Sequence, residues 1–544
     1  MTDTQQMVMF PPRSVAEFVE DLEKLKKEIQ KIYCLDDIPW IIGVSWGKDS
    51  SAVVQLIWYA IAELPPEKRT KIIHVITTDT LVENPIVATW VNQSLSRLKQ
   101  TAKKESMPFK THLLKPEIAQ TYWVGLIGKG YPAPRHTFRW CTPRLKIDPS
   151  NRFIRNVIRA SGETIVVLGT RKTESANRAS IMTKREVGRV RDRLSPHPSL
   201  PNSLIYTPIE TWRTDEVWLY LMQWPNPWGG DNKDLLAMYR GATADNECPL
   251  VVDTSTPSCG SSRFGCWVCT LVESDKSLTA MIQNDEEKEW LQPLVDLRLE
   301  LDVENDREKR DFRRIYGRVE LFEKNLNGET VVNNIPGPYT KYWREYWLKR
   351  VLEAQTQIRK TAPPEMRDIT LITHEELSEI RRIWLEEKHE FDDSLPRIYE
   401  EVTGEVFEDL RPGAERKLLG SDEWEALKEI CEEDEMHLEL MARLLDIERQ
   451  HYSKPRRTGI YTHLDKCFDI SSRDKEEAID NAYYQYDVKK ALQNVEENIA
   501  ENVVKVKNAL DGKEEEEEND IANEDNNESE QLSWESIKFG KFGK

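Results

Sequence analysis

The tightest constraint on this chain is the order of events around residue 45. An apolar run, Ile38 to Ile42, leads into the Gly/Ser-rich turn Gly43-Val44-Ser45-Trp46-Gly47-Lys48-Asp49-Ser50-Ser51, and a helical pattern follows from Ala52 to Trp58. Strand, turn and helix in that order present several backbone N–H groups and a helix N-terminus to whatever docks at the turn. A phosphate fits that description, and Lys48 with the hydroxyls of Ser45, Ser50 and Ser51 adds donors. The spelling is not that of a Walker loop, which needs four residues between its glycines and a Gly-Lys-Ser/Thr ending. Here Asp49 follows the lysine, where it can hold a metal ion beside the phosphates. The competing reading is a tight turn with a capping Asp or Ser.

The surroundings of the turn set the fold class. Residues 12 to 34 read as an amphipathic helix, with Val15, Phe18, Val19, Leu22, Leu25 and Ile29 at helical spacing. Strands are expected at 38–44, 71–77, 109–114 and 164–168, with helices to about Leu64 and from Pro85 to about Ser106. That alternation predicts an α/β fold, a parallel sheet with helices on both faces. Ligands of such sheets bind past the carboxyl ends of the strands, where Ser45, Asp79 and Gly169 all fall. From Trp224 to Gly265 periodicity gives way to Pro, Gly, Ser and Asn, and from about Ser274 to Val506 the chain reads as mainly helical and charged. The expected organisation is an N-terminal helix (1–34), a nucleotide domain (35–225), a Cys-rich segment (226–285), a helical C-terminal region (286–507) and an acidic disordered tail (508–544).

Composition narrows the partners. A mean hydropathy of -0.63 and the lack of an apolar run near 18 residues argue against a membrane. The start Met1-Thr2-Asp3-Thr4-Gln5-Gln6 lacks the pattern of a signal peptide, so a cytoplasmic location is expected. Eight cysteines then read as metal ligands or reactive thiols rather than disulfides. The net charge of -19 hides a division: Asp511 to Gln531 carries a net of -10, whereas Arg135 to Arg193 carries +10. A basic stretch of that size beside a phosphate-binding turn suits a polyanion, with scattered surface charge as the alternative. Cys259-x6-Cys266-x2-Cys269, with Cys141 and Cys248 nearby, suits zinc or an iron–sulfur cluster, and spacing alone leaves both open.

The Ser45 turn resembles the pyrophosphate loop of the N-type ATP pyrophosphatases, Ser-Gly-Gly-x-Asp-Ser, and within them the adenylylsulfate and phosphoadenylylsulfate reductase-like branch. Trp46 departs from the small residue usual there. Asp79-Thr80, Gly169-Thr170-Arg171-Lys172-Thr173-Glu174-Ser175 and Pro208-Ile209-Glu210-Thr211-Trp212 through Trp218 resemble three further elements of the family, in its order. The resemblance implies an adenine nucleotide alpha hydrolase-like fold that binds ATP through Ser45, Gly47, Lys48, Asp49, Ser50, Asp79, Gly169, Arg171 and Glu174, with Mg2+ near Asp49. Lys48, Asp49 and Arg171 are its implied catalytic residues, Arg171 as a planar anchor for a phosphate or the acceptor. Reductases of the branch bind a [4Fe-4S] cluster through a Cys-Cys pair and a later Cys-x-x-Cys, which favours Cys141, Cys259, Cys266 and Cys269 here. The pair is reduced to Cys141, so Cys248 competes for the fourth position.

Gly265-Cys266-Trp267-Val268-Cys269-Thr270-Leu271-Val272 and the long helical half are most similar to the DndC family, sulfurtransferases of DNA phosphorothioation. That similarity implies adenylation of a DNA backbone phosphate, release of pyrophosphate and replacement of a non-bridging oxygen by sulfur. Its implied partners are DNA, a cysteine desulfurase as sulfur donor and other Dnd-type proteins. Two rivals stand beside it: an adenylylsulfate-type reductase or tRNA thiolase, and a nucleotide-gated scaffold in a DNA-modifying complex.

Overall fold

The computed structural model describes residues 12–136, 138–191, 193–242, 264–314, 317–326, 329–410, 421–431, 434–452, 456–471 and 475–521. Helix α1 (Val15–Cys34) opens on Ser14, whose side chain and that of Glu17 close a capping box, and it buries Phe18, Leu22, Ile29, Ile32 and Tyr33. Strand β1 (Trp40–Gly43) feeds α2 (Lys48–Ala62), β2 (Ile73–Thr78) feeds α3 (Pro85–Lys104), and β3 (Phe109–Leu114) follows. After α4 (Asp148–Ser161) come β4 (Thr164–Leu168), α5 (Ala176–Glu186), the short β5 (Ser195–Pro196), β6 (Ser203–Tyr206), α6 (Thr214–Gln223) and α7 (Asn232–Gly241).

The six strands lie in the order β3-β2-β1-β4-β6-β5, all parallel except β5. This meets the expected α/β class. The order also fixes where a ligand can enter. From β1 the chain builds outward through β2 and β3, then returns to place β4 on the other flank of β1, where Ile42 pairs with Val75 and Val167. The crevice between the carboxyl ends of β1 and β4 is therefore the topological switch point.

Buried on both faces, the central strands read as near-continuous apolar runs. Trp40, Ile42, Val75 and Val167 pack in one core with α1, α2 and α6, while Ile41, Ile76 and Val166 meet Ile154, Phe153 and Val157 of α4 on the other face. A second core joins Tyr122, Trp123, Leu126, Trp140 and Trp267 to Leu294, Trp347, Leu352 and Ile380 from later helices. The segment between β3 and α4 is thus packed with the helical half of the chain rather than with the sheet. Both cores belong to one compact unit, residues 1–311 with 336–471.

A second unit, residues 312–335 with 472–544, contains an antiparallel hairpin (Leu321–Leu326 and Glu329–Asn334) and a helix, Lys475–Ile521, whose Tyr483 hydroxyl donates to the Val332 carbonyl at 3.1 Å. The hairpin is a strand pair within a region expected to be mainly helical. Leu-Phe-Glu-Lys-Asn-Leu has no alternation to read, because this strand is largely exposed. Helix α7 is a correction, lying inside the stretch expected to lack periodicity. The last helix also runs past residue 508, where the acidic tail was expected to begin; glutamate, abundant there, is a good helix former.

Candidate functional site

The Ser45 turn leaves the sheet at Val44, whose N–H still donates to the Ile76 carbonyl at 2.9 Å. Trp46 then adopts a left-handed backbone, φ 58°, which a bulky residue holds only when its surroundings over-determine it. They do so here: the buried indole N–H donates to Thr77 Oγ1 at 3.0 Å, the ring meets Trp228 edge-on, and the Trp46 carbonyl accepts from the Trp90 indole at 3.2 Å. A conformation that suits glycine is thus held by a tryptophan anchored on three sides. Gly47 is needed for space, since a Cβ there would stand 3.0 Å from the Tyr239 hydroxyl. The Lys48 N–H, first of α2, donates to that hydroxyl at 3.3 Å, and Lys48 Nζ lies 3.2 Å from Asp49 Oδ2. Ser45 Oγ and Ser50 Oγ are 3.3 Å apart.

The β4 turn closes on the same point. A Cβ on Gly169 would meet the Asp49 carbonyl oxygen at 3.0 Å, so only glycine lets the two turns approach this closely. Arg171 is 1% exposed, and its Nε donates to Asp49 Oδ1 at 2.7 Å. Its other nitrogens donate to Thr173 Oγ1, the Trp212 carbonyl and Thr214 Oγ1. The guanidinium thus fixes the carboxylate of Asp49 and is itself held by the Trp212 carbonyl and two threonine hydroxyls. Ser45, Gly47, Lys48, Asp49, Ser50, Gly169 and Arg171 are therefore gathered at the switch point. Asp79 lies one strand away, where its Oδ1 accepts from the Leu81 N–H at 2.9 Å and Lys115 Nζ is 3.9 Å from Oδ2. Glu174 pairs with Arg178 one helical turn on.

Cys266 sits beside the turn that follows β2. The turn that begins at Asp79 pairs Glu83 with Cys266 in an antiparallel bridge, and the Trp267 N–H donates to the Val82 carbonyl at 3.0 Å. Cys266 Sγ lies 3.4 Å from Thr80 Oγ1, and the Cys269 carbonyl accepts from Arg298 Nε at 3.0 Å. Burial pushes the Cys266 thiol up to about 12, with the Glu83 carboxylate adding to the rise, and burial raises Cys141 too. Lys146, 3.7 Å from Glu83, is raised in turn by the charge of Cys266, then by Glu83, Cys269 and Cys141. Three thiols and one cation thus share an electrostatic neighbourhood. Sequence reasoning did not assign Thr80, Glu83 or Lys146 to it, although Thr80 belongs to the Asp79-Thr80 element and Lys146 follows Cys141 by five residues.

Cys259 and Cys248 lie outside the described residues. Among the described residues no three Cys, His, Asp or Glu side chains converge on a single ion. A cubane distributes its ligands over separate irons, so they stand wider apart than ligands of one zinc. Soft, half-buried thiols, of which Cys266 and Cys141 resist ionisation alone, have the donor chemistry an iron–sulfur cluster takes as thiolates.

Residues 39–227 match the model of the Phosphoadenosine phosphosulfate reductase domain, a stretch that spans the sheet and both switch-point turns. The match ends before the cysteine segment. Among solved structures, the chain is similar to the U34-tRNA thiolase NcsA from Methanococcus maripaludis with its [4Fe-4S] cluster, at 13% identity over 53% of this chain and 80% of that chain, with a TM-score of 0.25. At that score the fold assignment rests on the domain match and the strand order. No curated protein matches the chain. No helix among the described residues is long and apolar enough to cross a membrane.

Proposed function

We propose that the protein is a sulfurtransferase of DNA phosphorothioate modification, which activates a backbone phosphate with ATP and replaces one of its non-bridging oxygens with sulfur. The observation that carries this reading is the turn after β2: it starts at the nucleotide edge with Asp79 and, four residues on, pairs with Cys266. Activation and sulfur delivery then share one short stretch of backbone.

In the first step a phosphate oxygen of DNA attacks the α-phosphorus of ATP, the α–β bridging bond breaks and pyrophosphate leaves. The N–H groups of the Ser45 turn, the Ser45 and Ser50 hydroxyls and Lys48 would stabilise the charge that develops on pyrophosphate. Asp49, fixed by Arg171, would orient Lys48 and hold Mg2+ beside the phosphates. In the second step sulfur at the sulfide level forms a P–S bond as the P–O bond to AMP breaks. Supplied by a cysteine desulfurase as a persulfide, that sulfur reaches the sulfide level by taking two electrons from a thiol reductant, which leaves as its disulfide. Cys141, Cys266, Cys269 and a fourth cysteine, Cys259 or Cys248, would hold a [4Fe-4S] cluster, which when bound supplies electron-transfer and sulfur-handling capacity beside the activated phosphate. Other Dnd-type proteins would assemble with the protein on DNA.

The test is pyrophosphate release from ATP and Mg2+ with DNA as acceptor. The wild-type protein should exceed a Lys48→Ala/Asp49→Ala variant by at least about a hundredfold, the scale lost with a key charge-stabilising group. Equal release from the two would remove adenylation from the account.

A further inference from the structure

Helix α4 presents two unlike faces. Phe153, Ile154 and Val157 pack against the sheet, and Arg152, Arg155, Asn156 and Arg159 lie exposed on the other side. With Glu117, Gln120, Pro143, Arg144 and Asp148 they line a cleft of about 570 Å³. Four arginines and two carboxylates line it. Arg152 Nη2 is 2.9 Å from Glu117 Oε1, whereas no ion-pair partner is found for Arg155 or Arg159 among the described residues. Arg144 packs 4.6 Å above the Tyr131 ring and donates to its hydroxyl at 3.3 Å, leaving a buried Nη1 with no hydrogen-bond partner among the described residues.

The position of the cleft gives that charge a direction. Thr78 Oγ1 and Ser150 Oγ, 3.1 Å apart, fasten the start of α4 to the carboxyl end of β2. The arginine row therefore runs down the helix from the ligand edge of the sheet, and Pro143, which also lines the cleft, lies two residues from Cys141. From Arg152 to Arg159 the helix rises about 10 Å. That is the axial length of about three nucleotides of one strand of B-form duplex. A row of planar, permanently charged forks at such intervals suits repeating phosphodiesters better than one compact anion.

We propose that this cleft is the track for a polynucleotide backbone, gripping phosphates through Arg152, Arg155 and Arg159 and leading the reacting phosphate past Arg144 toward Cys141. The proposal deepens the sulfuration reading and rests on it for the reaction, not for the binding. Contacts of this kind position the strand without reading its sequence.

The test compares Arg152→Gln/Arg155→Gln/Arg159→Gln with Lys99→Gln/Lys103→Gln/Lys104→Gln, which removes equal charge from exposed positions on α3, using the full-length protein with a DNA duplex and, separately, a tRNA. The arginine variant should bind at least about tenfold more weakly near 100 mM salt and flatten the salt dependence of log K by about 2.7, with ATP binding unchanged as proof of folding. The lysine variant should track the wild type. Equal effects in both variants, or none in either, overturn the track. Arginine-dependent binding of tRNA with no binding of DNA keeps the track and overturns the DNA reading.

Discussion

At the scale of single residues, the phosphate turn depends on two side chains whose roles are structural. Trp46 occupies a position where the related loops carry glycine, and it accepts backbone strain in exchange for buried packing against Trp228 and Thr77. Trp46→Gly relieves the strain but empties a large site, so unfolding in urea should show a net loss of about 2 to 4 kcal/mol. Arg171 makes four hydrogen bonds from a buried position. Removing it leaves Asp49 paired with Lys48 alone, and Arg171→Ala should cost about 3 to 5 kcal/mol in the same assay and abolish pyrophosphate release. Arg171→Lys should recover little of either, because an ammonium cannot reproduce the planar fork. Neither role was legible in sequence: the motif marks Arg171 as important, but which way its fork points depends on Trp212 and Thr214 arriving from beyond β6.

At the scale of elements, β2 and β3 share a histidine pair, His74 Nδ1 and His112 Nε2, 3.0 Å apart and packed on Phe153. Burial, then His112 and Lys110, push His74 down to about 4, and burial and Lys110 lower His112 as well. As pH falls below about 6.5 the unfolded chain takes up protons that the folded pair refuses. The pair's contribution is therefore complete above pH 6.5 and lost as pH falls toward 4, on the order of 2 kcal/mol after allowing for solvent screening. Urea midpoints at pH 7.5 and 5.0 should differ in the wild type, and much less in His74→Leu/His112→Leu. The strands themselves were readable as apolar runs closed by turns, since a parallel sheet must bury both faces. Helix α4 was not, because its three arginines read as part of a charged stretch, and the packing of Phe153 and Ile154 separates its two faces.

At the scale of the molecule, the segment between β3 and α4 leaves the sheet to build a second core with helices more than 150 residues away. Trp123 donates to the Leu371 carbonyl at 2.7 Å, and Trp384 to that of Ile127 at 3.0 Å. Aromatic stripes in the sequence identify core residues, not the partners they meet, so this joint was invisible before the fold. It places Cys141, Cys266 and Cys269 on the seam between sheet and helices, and loosening the seam should disturb the cysteines before the nucleotide turn. Trp123→Ala should cost about 3 to 5 kcal/mol and raise the reactivity of Cys141 toward a thiol reagent, with ATP affinity within about twofold of wild type.

The central claim is that ATP cleavage at the Ser45 turn serves sulfur transfer to a DNA backbone phosphate. The most direct measurement is mass spectrometry of nuclease-digested DNA after anaerobic incubation of the protein with DNA, ATP, Mg2+, a cysteine desulfurase and cysteine. The account expects phosphorothioate-linked dinucleotides in proportion to the AMP and pyrophosphate formed, and none from Lys48→Ala/Asp49→Ala. Pyrophosphate release without sulfur in the DNA backbone, or sulfur recovered only in tRNA bases, would contradict it.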